Sequence, residues 1–368
     1  MKRRQFMTSL AGFGAGAAAG LAACNQPQST GDGPAVVTGQ NVRWRLASSF
    51  PRSLDTLFGG AETLSERVSA MTGGAFDIRV YPAGELVPGL QVMDAVQQGT
   101  VQVGQTASYY YTGKNPALAF DTCVPFGLTA RQQSAWLAEG GGLDLVNGLF
   151  SDFGIRSFPS GNTGVQMGGW FNREVNSLSE LQGLKMRIPG AGGDVMNMLG
   201  VSVQVIAGGE IYPALERGAI DATEWVGPYD DEKLGFHKVV KNYYYPGWWE
   251  PGPSLSVYVN DKAWSELPVA YQEIFRVACA DAGAVMQQRY DARNPAALQR
   301  ILASGVVMRP FADDIMKGAQ EAAQQYLEDN AAQDPGYRKI FEAFSKARNE
   351  QRSWFGLAER AYHSFVSR

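Results

Sequence analysis

The chain has 368 residues, a formal net charge of −4 and 45% apolar side chains. That length exceeds what one hydrophobic core usually serves, so two lobes are expected. The acidic balance argues against a nucleic-acid binder, which would carry a basic face, and no apolar run beyond the N-terminal segment reaches the ~18 residues of a membrane span.

The chain opens on "MKRRQFM", a basic stretch at Lys2, Arg3 and Arg4, followed by the Ala/Gly-rich "TSLAGFGAGAAAGLAAC". Arg3-Arg4 before Gln5 and Phe6 fits a twin-arginine export signal, and "LAAC" ending at Cys24 fits a lipobox whose cysteine is acylated. "NQPQSTGDGPAVVTGQ", residues 25–40, reads as a flexible tether. "VRWRLASSF" alternates Val42, Trp44 and Leu46 with Arg43 and Arg45, the pattern of a half-buried strand. "SLDTLFGGAETLSERVSAMTGG" places Leu54, Leu57, Phe58, Leu64 and Val68 at helical spacing and stops at Gly73-Gly74. "FDIRVYPAG" is a strand, "GLQVMDAVQQGT" a short helix and "VQVGQT" a strand. This alternation predicts an α/β fold with mainly parallel sheets.

The pattern then repeats. "GIRSFPS" and "TGVQMGGWF" read as strands, "SLSELQGLK" as a capped helical turn, "MRIPG" as a strand and "AGGDVMNMLG" as a helix. "VSVQVI" is a strand and "GEIYPALERGAID" a helix. From about residue 266 the chain is largely helical. Ligands of open α/β sheets bind outside the carboxyl ends of the strands, and the cleft between two lobes is the expected place. Four segments qualify: "SYYYTGK", "GNTGVQMGGW", "KMRIPG" and the aromatic, acidic stretch 221–252.

Arg187 lies in a short apolar strand, where a charge needs a partner. Its guanidinium suits either an internal acid or the carboxylate of a ligand. Glu224, beside Trp225, and Glu250, behind Trp248-Trp249, sit in aromatic, glycine-rich loops. They are either separate acids near aromatic packing or two ligands of one hard cation, with Gln166 adding an amide oxygen. The runs Tyr109–Tyr111 and Tyr243–Tyr245 are either core packing or phenols facing a ligand. Cys123 and Cys279 read as separate buried thiols rather than a disulfide. His237 and His363 read as surface residues, and no paired His or Cys spacing suggests zinc.

Together, "WRLASSFP", "SLDTLFGGAE", "AGELVPGLQ", "YYYTGKNP", "GNTGVQMGGWF", "LQGLKMRIPG", "IAGGEIYPALERGAIDATEWVGPYDDEKLGFHKV" and "YYYPGWWEPG" resemble the substrate-binding proteins of tripartite ATP-independent periplasmic (TRAP) transporters. The likeness runs from about residue 42 to the C-terminus. It is strongest to the branch that binds α-keto acids and related small monocarboxylates. The resemblance implies a two-lobed periplasmic solute-binding fold with mixed, mainly parallel sheets, crossing strands as a hinge and long C-terminal helices. It implies an export signal over 1–24, a tether over 25–40, a first lobe of 41–164 plus about 253–292, a second lobe of 165–252 plus about 293–334, and a C-terminal helix over 335–368. It also implies capture of an organic anion such as pyruvate and its delivery to membrane subunits driven by an ion gradient.

Carried over by residue, Arg187 corresponds to the carboxylate clamp. Gln166, Glu224, Trp225 (through its backbone carbonyl) and Glu250 correspond to a Na⁺ or Ca²⁺ site, with Gln166 and the cation also touching the ligand. Tyr109, Tyr110 and Tyr111 correspond to a ligand-contacting segment. The lipobox departs from the branch, whose members are usually free in the periplasm, and neither Cys123 nor Cys279 belongs to the motif. Long C-terminal helices in this branch accompany dimers. Phe341, Phe344, Trp354, Leu357, Tyr362 and Phe365 form an apolar stripe suited to a dimer contact or to packing on the chain's own lobes.

The rival reading is a secreted glycoside hydrolase that uses Glu224 and Glu250 as its acid/base pair with tryptophans stacked on sugar. Arg187 speaks against it, because a neutral sugar does not call for a buried guanidinium. A non-enzymatic binding protein is the expectation.

Overall fold

The computed structural model describes residues 39–367. The export segment with Arg3, Arg4 and Cys24, and most of the tether, lie outside the described residues. The first strand, β1 (Val42–Ser48), buries Trp44 and Leu46 and exposes Arg43 and Arg45, as its alternation requires. A helix follows at Leu57–Met71 and buries Leu57, Phe58, Leu64 and Val68. It ends where Gly73 and Gly74 take φ of 59° and 82°, left-handed values that glycine adopts without a Cβ penalty.

Further strands are β2 (Phe76–Tyr81), β3 (Val103–Thr106), β4 (Ile155–Asn162), β5 (Trp170–Phe171) and β6 (Lys185–Arg187). Then come β7 (Ser202–Gln204), β8 (Ala222–Thr223), β9 (Asn242–Tyr245), β10 (Ser254–Asn260) and β11 (Val307–Pro310). They form two sheets, ordered β2-β1-β3-β10-β4 and β11-β9-β5-β8-β6-β7. Both are mixed. β1 runs parallel to β2 and β3, but β10 returns antiparallel between β3 and β4. In the second sheet β5 is antiparallel to β8 and β9, whereas β6 is parallel to β7 and β8.

The expected strand "TGVQMGGWF" is corrected: only Trp170–Phe171 is strand. Residues 163–169 instead cross from the first sheet to the second. Their amides bond to three separate segments, Gln166 to the Glu250 carbonyl (3.1 Å), Met167 to Val226 (3.0 Å) and Gly168 to Tyr244 (2.8 Å), so no ladder can form. The return crossing, residues 246–253, lies alongside. Gly247 donates to the Gln166 carbonyl at 2.9 Å, and a Cβ there would sit 2.6 Å from two carbonyl oxygens.

The 35-residue helix Val269–Ala303 joins the two layers. Tyr271, Phe275, Ala278 and Ala282 belong to the core beneath the first sheet, while Tyr290 and Ile301 belong to the core beneath the second. Cys123 and Cys279 are both free and buried. The C-terminal stripe divides. Phe344 is buried and Phe341 packs on the separate core cluster that holds Phe120, Trp136 and Phe344, while Trp354, Leu357, Tyr362 and Phe365 are exposed.

Candidate ligand and cation site

Arg187 ends β6, paired in register with Thr223 of β8. Glu224, the next residue, is thereby set against Arg187, and its amide donates to the Arg187 carbonyl at 3.3 Å. Both side chains are 1% exposed and form an ion pair through Arg187 Nη1 and Glu224 Oε1. Arg187 Nε donates to the Ile206 carbonyl at 3.1 Å, and the Trp225 ring covers the guanidinium at 4.9 Å. Two atoms of the pair remain uncommitted: Arg187 Nη2 and Glu224 Oε2 are buried without a hydrogen-bond partner among the described residues. The internal salt bridge and a free donor for a ligand thus coexist on one guanidinium.

Gln166 and Glu250 come from the two crossings. Thr163 Oγ1 accepts from Gln166 Nε2 at 3.1 Å, which leaves Gln166 Oε1 buried and without a partner among the described residues. Glu250, 3% exposed, accepts from the Tyr109 hydroxyl at 3.2 Å. Burial raises the Glu250 pKa well above the usual carboxylate range, and the Glu224 charge adds to the rise. Burial also lifts Glu224 to about 7, against the opposing pull of Arg187. Unpaired buried carboxylates hold their protons unless a cation compensates them. Among the described residues no three His, Cys, Asp or Glu side chains cluster. The available donor set is two carboxylates and an amide oxygen, which suits a hard cation.

The Ser108–Tyr111 turn follows β3 and supplies the facing wall. Tyr109 and Tyr110 border the same small cavity as Gln166, Arg187 and Trp225. Burial raises the Tyr110 phenol, and Arg187 pulls it down. The structure places Tyr111 elsewhere, in the core cluster with Val92, Leu118 and Tyr258, with its hydroxyl 2.9 Å from Thr106 Oγ1. The cavity is small and bordered on its apolar side by Phe50, Leu57, Val226 and Leu255. A larger groove of about 760 Å³ runs along the free edge of β4. Its charges include exposed pairs such as Arg156–Asp261 at 3.5 Å, and none of the unpartnered buried side-chain atoms among the described residues lines it.

Residues 47–334 match the family described as "Bacterial extracellular solute-binding protein, family 7". The chain belongs to that family. A relative from Nostoc sp. named "Monocarboxylate 2-oxoacid-binding periplasmic protein" is 52% identical over 368 residues, covering 100% of this chain and 99% of its own. A TRAP transporter solute-binding protein from Bordetella bronchiseptica, described as a mixed-occupancy dimer with calcium and picolinate, is 47% identical. It superposes with a TM-score of 0.88, covering 89% of this chain and 97% of its own. One from Pseudoalteromonas atlantica, with sodium and pyruvate, is 39% identical with a TM-score of 0.86, covering 88% and 99%.

Membership makes this family-7 chain a periplasmic solute-binding receptor of the TRAP type and leaves the hydrolase reading unsupported. The cavity is also bordered by residues that were not singled out from the sequence. Thr163 orients Gln166, while Phe50, Leu57, Val226 and Leu255 form apolar walls. Asp121 is fully buried, and its Oδ2 accepts from Ser108, from Ser256 at 2.7 Å and from Ser157 at 3.2 Å. It thereby holds the turn that carries Tyr109 and Tyr110. An acid inside the apolar run "LAFDTCV" is the signal that could have exposed it. His237 is half-buried and His363 exposed, and neither borders the cavity.

Proposed function

We propose that this receptor captures a small 2-oxo or 2-hydroxy monocarboxylate such as pyruvate together with Na⁺ or Ca²⁺, and presents it to TRAP membrane subunits without chemical change. The observation that carries this reading is the matched set of unpartnered buried atoms. Arg187 Nη2 is a donor suited to a carboxylate, and Gln166 Oε1 and Glu224 Oε2 are acceptors suited to a cation. Glu250 completes the oxygen set, with Trp225 closing one side. A bound cation would offset the charge of the buried acids and attract the anion. A 2-oxoacid offers a carboxylate to Arg187 and a neighbouring oxygen to the cation, and the small cavity favours short chains. Either ion suits this chemistry, and the relatives include one of each.

The lobes expected from the sequence, 41–164 with 253–292 and 165–252 with 293–334, are proposed as the bodies that close on the ligand. The export signal, acylation at Cys24 and dimerisation through the C-terminal helix complete the proposal. The exposed Trp354, Leu357, Tyr362 and Phe365 support the last of these. The function is tested by native mass spectrometry of the purified protein, followed by calorimetric titration with pyruvate after chelation and after adding back Na⁺ or Ca²⁺. Saturable binding restored by one ion is expected. Undiminished pyruvate binding in the ion-free protein would remove the cation from the mechanism, and binding of neutral sugars alone would remove the function.

A further inference from the structure

The Pro335–Phe355 helix carries two arginines one turn apart, Arg348 and Arg352. Both border a small cleft of about 50 Å³ between this helix, the Asp313–Gln333 helix and the loop at Pro125-Phe126. Arg348 is 9% exposed, and its Nε is buried with no hydrogen-bond partner among the described residues. Arg352 donates to the Phe126 carbonyl. The cleft lining includes no Asp or Glu; its other polar side chains are Gln320 and Gln324. Glu328, on the facing helix, accepts from Gln324 at 2.6 Å instead. Burial lowers both guanidinium pKa values, and the Arg352 charge lowers that of Arg348 further.

Two cations at i and i+4 repel, and burying one without a counter-charge is costly. Simple packing would be better served by Leu or Met. We propose that this cleft is a second ligand site, one that takes a small oxyanion such as sulfate or phosphate between Arg348 and Arg352. Guanidinium forks match oxyanions through paired N–H donors, and the amides of Gln320 and Gln324 stand at the rim. The site is separate from the Arg187 cavity and does not depend on what that cavity binds. It adjoins the same loop system: Phe126 stacks on Trp248 at 5.1 Å and donates its backbone N–H to the Trp248 carbonyl at 2.8 Å.

The test is calorimetric titration of the full chain with sodium sulfate, and separately with sodium phosphate, at constant ionic strength and without added calcium. Saturable one-site heat is expected for the wild type and for Arg187→Ala. Roughly tenfold or greater weakening is expected for Arg348→Gln and Arg352→Gln. Gln320→Glu places a carboxylate beside the arginines. It should abolish the sulfate heat while raising the thermal midpoint, which keeps the test valid if Arg348→Gln fails to fold. Absence of saturable heat in the wild type would overturn the proposal. So would equal heat in Arg352→Gln, or loss of heat in Arg187→Ala alone.

Discussion

Arg187 carries two burdens on one guanidinium. Nη1 pairs with Glu224, and Nη2 has no partner among the described residues, as the proposed clamp requires. Arg187→Ala should therefore cost pyruvate binding about 2–5 kcal/mol. It should also cost stability, by about 3–5 kcal/mol, because it strands a buried acid. Arg187→Lys keeps the charge and loses the fork, so it should fold nearly normally and still bind weakly. Paired calorimetry and urea unfolding separate the two effects, and an Arg187→Ala protein with wild-type affinity would refute the clamp. The acids behind it make a pH prediction. Burial raises Glu250 and lifts Glu224 to about 7, so below that pH an incoming cation must displace protons. Cation affinity should rise with pH through about 7, with proton release on binding. Titrations in buffers of different ionisation heat measure that release; pH-independent affinity with no released proton would contradict it.

The Ser108–Tyr111 turn shows how an element is aimed by a group that never reaches the ligand. A 3₁₀ turn advances about three residues per revolution, so three successive tyrosines point three ways. Tyr109 reaches Glu250, Tyr110 faces Arg187, and Tyr111 enters the core. Asp121 secures the turn through Ser108, and Tyr258 also donates to Ser108 Oγ at 2.6 Å. Asp121→Ala leaves buried hydroxyls without an acceptor, a loss of about 1–3 kcal/mol each when unsatisfied. It should lower stability and weaken pyruvate binding together, whereas Asp121→Asn, which retains an acceptor oxygen, should do less of both. Urea midpoints with calorimetry decide the point, and unchanged pyruvate affinity in Asp121→Ala would remove the positioning role.

Across the cleft, the two sheet layers touch. A Cβ on Gly190 would lie 2.6 Å from the Tyr109 Cβ, and Gly190 takes φ of 62°. Asp55, in the loop after β1, pairs with Lys233 and with Arg293 (3.2 Å) and accepts from the Tyr229 hydroxyl at 3.0 Å. These contacts tie the first layer to the helix after β8 and to the long connecting helix. A ligand contacting both walls should favour the form in which these contacts are made. Small-angle scattering should show a smaller radius of gyration with pyruvate and the cation than without. Asp55→Ala should release pyruvate faster, with little change in association. Identical scattering in both states, with an unchanged release rate in Asp55→Ala, would argue for a rigid pocket.

Much of this architecture was legible in the linear order of residues. β1 and the Leu57–Met71 helix follow from periodicity, because which face is buried is a local matter. Arg187, Glu224 and Glu250 stood out because charge in apolar or aromatic surroundings demands a partner nearby, and Gln166 was the amide oxygen that a cation between the acids could use. Which partner each one has was not local. The Arg187–Glu224 pair depends on the register of β6 against β8, and the Gln166–Glu250 contact on two crossings more than eighty residues apart lying side by side. The antiparallel return of β10 between β3 and β4, the inward turn of Tyr111 and the division of the C-terminal stripe likewise depend on distant segments. A sequence specifies the residues that need a partner; long-range packing selects the partner, because burial and hydrogen bonding act between whatever surfaces the folded chain brings together.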